Sequence, residues 1–300
     1  MRLDPEMSKE GKPAVASSTP LGRQHGCVEL LQWALPKLAY AWPGFRRVHR
    51  QVCKRLGRRL RELHLGDFAA YRRYLENNPE EWRALDGFCS IPISRFGRDW
   101  RVFECLGKDV LPCLAEAALR RGASRIEAWS IGCARGEEPY TLNAVWQFMV
   151  APSWPQLSFS VLATDINAEL IEGARAGLFK LSSLRELPSA WRDTMFERVG
   201  DHRRIKPGIR ENVRFALQDV RDIQPDTMFD LILCRNVVLT YFDPESQRRV
   251  LKRLVERLRP GGAFVIGARE HLPLNGPELV PWRPEEGIYA RASDRPEHLS

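Results

Sequence analysis

The sequence predicts an α/β fold: a parallel sheet covered by helices on both faces, with a helical domain ahead of it and a small β subdomain inserted in it. Three observations carry this. From Ile126 onward, short apolar runs alternate with stretches of helical spacing, the pattern of strands joined by crossover helices. Residues 28–88 read as helical throughout. Residues 178–210 break the alternation, with Pro188, Pro207, Gly200 and Gly208 among short apolar pieces, and are expected to hold a few antiparallel strands and a short helix.

Residues 1–26 are polar and rich in Pro, Ser and Gly, so a disordered leader is expected there. A helical domain and linker follow over 27–98, the sheet domain over 99–292, and a tail over 293–300. The clearest helix begins after Trp42, Pro43 and Gly44 and runs to about Leu63. Phe45, Val48, Val52, Leu56, Leu60 and Leu63 form one apolar stripe. Its other faces carry Arg46, Arg47, Arg50, Lys54, Arg55, Arg58, Arg59 and Arg61. A second helix starts beyond Asp67, a suitable cap, runs to Glu76 and stops at Asn77, Asn78 and Pro79; a short one follows from Glu80. Strands are then expected over 126–130, 157–164, 213–217, 230–234 and 263–267. Helices are expected over 139–149, 167–176 and 246–258, the last closed by Arg259, Pro260, Gly261 and Gly262.

Composition narrows the function classes. There is no apolar run of about 18 residues, so no membrane insertion is expected, and the N-terminus has no apolar segment of a secretory signal. The seven cysteines are scattered, without a CxxC pair; this argues against a disulfide framework and against a metal site and suits a reducing cytoplasm. The net charge is +8, and residues 1–100 supply 18 Lys/Arg against 11 Asp/Glu. The basic third points to an acidic partner or to a solvated helix surface. Nucleic acid is not expected, since the basic helix lacks interleaved exposed aromatics and no nucleic-acid motif is present.

Four segments can carry chemistry. Residues 129–140 turn from the first strand into a helix, with Gly132 and Gly136 allowing close backbone approach to a ligand. Glu137 there suits a cationic ligand, or merely favours a helix N-terminus. Asp165 closes the second strand, where an acid can hold ribose hydroxyls or simply cap the next helix. Arg235 and Asn236 follow four apolar positions, with Tyr241 and Phe242 beyond as site or packing residues. Ser94 and Arg98 lie in a stretch that reads, without context, as a linker.

Together these segments resemble the chemotaxis receptor (CheR-type) methyltransferases over about residues 28–292. Residues 129–140 are similar to that family's nucleotide loop, and 163–166 to its second-strand motif. Residues 234–243 are the most specific match. The resemblance implies a Rossmann-like S-adenosylmethionine methyltransferase domain with an inserted β subdomain and an N-terminal helical domain. It implies S-adenosyl-L-methionine as cofactor and methyl transfer to glutamate carboxylates of a receptor. By matching positions, Ser94, Arg98, Glu137, Asp165, Asp219, Val220, Asn236 and Val237 are expected at the cofactor, with Arg98 and Tyr241 nearest the transferred methyl. Basic residues of 45–63 are expected to meet acidic helical segments of the receptor or another protein. Three positions depart from the family pattern: Pro92 replaces a polar residue, Gly97 a phenylalanine, and Asp219 an asparagine.

Overall fold

A computed structural model describes residues 20–292 except 93, 223–224 and 274–277, and the side chains of 20–25 are not described. The expected tail at 293–300 and the first nineteen residues of the expected leader lie outside the described residues. Residues 20–26, expected to be disordered, are helical: they open α1 (Pro20–Ala34).

Four more helices complete the N-terminal region: α2 (Trp42–Phe45), α3 (His49–Glu62), α4 (Phe68–Asn77) and α5 (Glu81–Cys89). The long helix expected from residue 45 is thus broken by a turn at 46–48, and its apolar stripe continues along α3 through buried Val52, Leu56 and Leu60. Asp67 caps α4, its side chain accepting from the Ala70 amide at 2.7 Å. Cys27 and Cys53 form a disulfide between α1 and α3. This corrects the expectation from cysteine count and spacing, because packing two helices side by side brings together cysteines that sequence spacing keeps apart.

Helices α6 (Trp100–Cys105) and α7 (Leu111–Arg120) lead into the sheet. Its parallel strands are β1 (Arg125–Ile131), β2 (Ser158–Asp165), β6 (Val213–Leu217), β7 (Phe229–Cys234) and β8 (Leu258–Ile266). The hairpin β9 (Leu279–Arg283) and β10 (Ile288–Arg291) completes seven strands in the order β6-β2-β1-β7-β8-β10-β9. The antiparallel strand β10 lies beside β8. Helices α8 (Glu137–Val145), α9 (Ala168–Ala176), α12 (Val238–Tyr241) and α13 (Pro244–Glu256) connect the parallel strands. The insertion forms β3 (Leu178–Lys180), α10 (Ser189–Met195), β4 (Phe196–Val199), β5 (His202–Ile205) and α11 (Pro207–Arg210), with its own sheet ordered β3-β5-β4. No helix among the described residues is long and apolar enough to cross a membrane.

The two sheet faces bury different cores. Alternate residues of a strand point to opposite faces, and the sequence exploits this. Ala128, Leu231, Leu233 and Val265 pack with α6, α7, α8 and the insertion. Trp129, Ile131, Ile232, Cys234, Phe264 and Ile266 pack with the N-terminal helices and α13. The helical domain therefore covers one face of the sheet and shares its core. The join is also polar. Arg221 donates to Asp219, to Asp86 of α5 and to the Leu38 carbonyl, while the Tyr40 hydroxyl donates to Asp86 at 2.8 Å.

Within the helical domain, Glu81 is 4% exposed and accepts from Arg59 at 2.9 and 2.7 Å and from the Tyr71 hydroxyl at 2.7 Å. Burial opposes its charge, but Arg59 and Tyr71 win and hold the carboxyl below its ordinary value. Glu81→Ala strands Arg59 and Tyr71, and should cost about 3 kcal/mol, the low end for breaking a buried pair because Arg59 is partly solvated. Since the folded pKa is depressed, the Glu81 contribution is complete above the unfolded value of about 4.3 and lost as pH falls through the folded value. Chemical denaturation of wild type and variant at neutral pH and at pH about 3 checks both: the gap should narrow in acid.

Candidate active site

The carboxyl ends of β1, β2 and β7 open on a cavity of about 870 Å³, within the range of small-molecule sites. Ser94, Arg98, Asp165, Asp219, Val220, Asn236, Val237 and Tyr241 all line it. Eight of the nine residues singled out from the sequence thus meet in one place. Glu137 is the exception. It lies in the first turn of α8 but does not line the cavity; it is buried, is hydrogen-bonded to the Ser94 hydroxyl, and has Oε2 without a partner among the described residues. Its neighbour Glu138 lines the cavity instead.

Backbone geometry shapes the floor. Gly132 follows β1 with φ +68°, and a Cβ there would stand 2.3 Å from Val237 Cγ2, so only glycine fits both conformation and space. Asp165 closes β2. Its Oδ2 accepts from the Ala134 amide and its Oδ1 from the Asn167 amide, both at 2.9 Å. The cap of α9 is Asn167, which accepts from the Leu170 amide at 3.2 Å. That settles the two readings of Asp165 in local structure: it does not cap the helix, and it faces the cavity. A carboxylate offers about four acceptor sites, so Asp165 keeps capacity for a vicinal diol. Burial raises its pKa, although the amides partly offset this.

At the base end, Asp219 is held by Arg221 through its main-chain amide and its guanidinium. Val220, nearly buried, lies beside it on the cavity wall. At the opposite wall Arg98 donates to Asn236 Oδ1 at 3.4 Å, and Asn236 is left-handed with φ +57°. Tyr241 is pushed up by burial, with the Arg98 charge working the other way and that of Glu270 adding to it. At neutral pH Tyr241 is therefore a neutral donor.

Three residues without a role in the sequence reading organise this wall. Arg235, largely buried but itself lining the cavity, donates to Glu138 at 3.0 Å, to Asp99 at 2.7 Å and to the Arg98 carbonyl at 3.2 Å. The Arg-Asn pair straight after an apolar strand was the signal for it. Glu138 also accepts from Ser130 at 2.8 Å. Glu270 binds the Asn236 amide at 2.9 Å, from 34 residues away, and nothing local in the sequence marks it.

The fold and site define a class: strand β10 set antiparallel beside β8, a glycine turn after β1 and an acid closing β2 make a nucleoside-binding methyltransferase. A model of the CheR methyltransferase S-adenosylmethionine-binding domain matches residues 93–282, and one of the CheR all-alpha domain matches 49–85. The chemotaxis protein methyltransferase of Salmonella typhimurium is 31% identical over 284 residues, covering 86% of this chain and 92% of that protein. That of Listeria monocytogenes is 35% identical over 191 residues, covering 63% of this chain and 70% of its own. A 104.1 kDa protein of Rhodobacter capsulatus is 34% identical over 224 residues, covering 74% of this chain; the chain spans 23% of that protein's length. The chain belongs to the CheR methyltransferase family, and its cofactor is S-adenosyl-L-methionine.

The cavity fits that cofactor: it joins an anchored acid at β2, a close-approach turn at Gly132 and an apolar wall at Val220. Asp165→Asn should weaken S-adenosylhomocysteine binding about tenfold or more at neutral pH, the scale of a lost charged hydrogen bond. In wild type, affinity should fall with acid through a midpoint above the ordinary aspartate value of about 3.9, because protonation removes an acceptor. Calorimetric titration across pH checks both; the variant should lose that pH dependence.

Proposed function

We propose that the chain methylates glutamate carboxylates of a chemotaxis-type receptor, forming methyl esters. One observation carries this reading. The cavity wall that brings Arg98, Asn236 and Tyr241 together is continuous with Arg46 and Arg47 at the junction of α2 and α3. A cofactor cavity that opens onto cations suits an anionic acceptor. The family, and relatives named chemotaxis protein methyltransferase, support the receptor.

Charge placement extends the reading. On α3, Arg50, Lys54, Arg58 and Arg61 are exposed and recur at helical spacing along one face. Two of the arginines expected on that surface have internal work. Arg55 donates to the Phe88 and Ser90 carbonyls, and Arg59 binds Glu81. The exposed four can steer acidic helices toward the cavity mouth.

When bound, S-adenosylmethionine supplies a methyl carbon that leaves sulfur as an acceptor oxygen displaces it. The chain's part is to hold partners and exclude water. Asp165 would hold the ribose hydroxyls, and Asp219 and Val220 would border the adenine. A glutamate acceptor is ionised at neutral pH, its ordinary pKa being about 4.3, so no strong base is needed. Arg98 orients the carboxylate. A tight ion pair would stabilise the reactant as well as the transition state, so positioning is its larger contribution, worth up to roughly 7–11 kcal/mol in favourable intramolecular cases. Tyr241, neutral, offers a hydrogen bond.

Incubating the protein with labelled cofactor and receptor-bearing membranes should give alkali-labile label on receptor; label stable to alkali would sink the ester reading. Arg98→Ala should lower kcat by about tenfold or more, the scale of 1.4 kcal/mol or above, with cofactor affinity within a few-fold of wild type. Arg50→Glu with Arg58→Glu should raise KM for acidic acceptors at low salt. The difference should shrink as the Debye length falls below about 10 Å; a KM indifferent to both charge and salt would reject the steering role.

A further inference from the structure

The segment 236–241 carries three of the residues assigned to the site, and its backbone is unusual. Asn236 is left-handed at φ +57°, and Val237 has φ −126° and ψ −85°, outside helix and strand alike. Such conformations persist only where the surroundings over-determine them. The chain grips this segment from two sides. From the helical domain, the Ala41 amide donates to the Tyr241 carbonyl at 2.8 Å, and Gly44 approaches so closely that a Cβ would stand 2.1 Å from the Thr240 carbonyl oxygen. From the sheet, Glu270 accepts three hydrogen bonds. Its Oε2 receives the Asn236 amide at 2.9 Å and the Gly267 amide at 2.7 Å, and its Oε1 receives the Thr240 hydroxyl.

We propose that Glu270 is a positioning residue for methyl transfer: it pins the end of β7 to the end of β8 and so fixes the backbone that presents Asn236, Val237 and Tyr241 to the cavity. The chemistry of the partners explains the residue type. Two main-chain N–H groups and a hydroxyl converge on one side chain, and only a group with several acceptor sites can satisfy all three. The position of Gly267 adds to this, since a Cβ there would stand 2.8 Å from Glu270 Oε2 and 3.1 Å from Asn236 Cγ. The inference rests on the assignment of Asn236 and Val237 to the cofactor side, and not on the identity of the methyl acceptor.

The test uses the full chain and S-adenosylhomocysteine, which lacks the sulfonium charge, so that loss of a nearby negative charge does not mimic loss of position. Glu270→Met keeps the side-chain length and removes every acceptor; it should weaken product-cofactor binding about tenfold or more, the scale of charged hydrogen bonds, and lower kcat further. Glu270→Gln can still accept both amides through its carbonyl while its NH2 donates to Thr240, and should recover affinity to within about threefold of wild type. Thermal unfolding is measured alongside. If the Met variant melts earlier but binds and turns over as wild type once folded, Glu270 is structural and the proposal is overturned. Equal loss in Met and Gln variants also overturns it, since charge and not acceptor geometry would then matter. Should the Met variant not fold, Thr240→Val decides: it removes one of the three donors and should weaken binding about threefold, and unchanged affinity rejects the clamp. A wild-type chain that binds the product cofactor yet labels no receptor would sink the receptor reading and leave this comparison intact.

Discussion

The site depends on one buried cation. Arg235 has a side chain 2% exposed, pairs with Asp99 and Glu138, and donates to the Arg98 carbonyl. Its guanidinium also lies 5.4 Å from the centre of the Phe103 ring. These partners come from the first turn of α8, the segment entering α6 and α6 itself. A planar fork with five donors can bind several oxygens in fixed directions, which a lysine could not do. Desolvating the group is costly, and only close carboxylates offset the cost. Take the guanidinium away and Glu138 is left largely buried without its counter-charge, while the backbone of Arg98 loses the donor that fixes it. The guanidinium therefore holds together the part of the cavity wall that carries Arg98 and Glu138.

A second constraint ties the two domains. Asp219 on the cavity wall is bound to Arg221, and Arg221 is bound to Asp86 in α5. Tyr40 completes the network and forms a short antiparallel bridge with Phe242, next to Tyr241. The apolar counterpart is one core that runs from Leu56 and Tyr71 through Trp129 to Phe264. Helices that lie against the proposed acceptor end thus share hydrogen bonds and packing with the strand ends that line the cofactor cavity. A displacement of α2 would be felt at Thr240 through the close contact at Gly44.

Much of this was legible from residues alone. Short apolar runs alternating with helical spacing located the parallel strands, and punctuation by Pro and Gly located the insertion. What escaped did so for physical reasons. The stretch 100–120 was not read as helical; a π-turn at Leu106–Val110 adds a residue to the register, which blurs a 3.6-residue repeat. The turn at 46–48 left Phe45 and Val48 in an apparently continuous stripe, since spacing does not report a local break in the backbone. Strand β9 contains Pro281 and lies at the sheet edge, where proline is tolerated but the strand signal is weak. At the cavity, Asp165 and Asn236 stood out by standing where apolar strands end, whereas Ser94, Arg98, Asp219 and Val220 were reached only through the family resemblance. Glu270 and Asp86 did not, because the partners that place them, Thr240 and Arg221, are 30 and 135 residues away and only folding makes them neighbours.

The charge pattern of the cavity favours one kind of acceptor. Three of its carboxylates are engaged by the chain: Glu138 by Arg235 and Ser130, Asp219 by Arg221, Glu270 by two amides and a hydroxyl. Arg98 lines the acceptor side, and the exposed Arg46, Arg47 and Arg269 stand at the same cavity. Tyr241, raised by burial, is no base at neutral pH. An alcohol acceptor would need a proton acceptor for its hydroxyl, and the imidazole at this cavity is His271. An ionised carboxylate needs only to be held and kept from water. Combining that anion with a sulfonium annihilates charge, so the same low-dielectric surroundings that make the pair attract strongly also favour the neutral products. The proposed glutamate ester is the reaction for which this arrangement of filled acceptors and outward cations is sufficient.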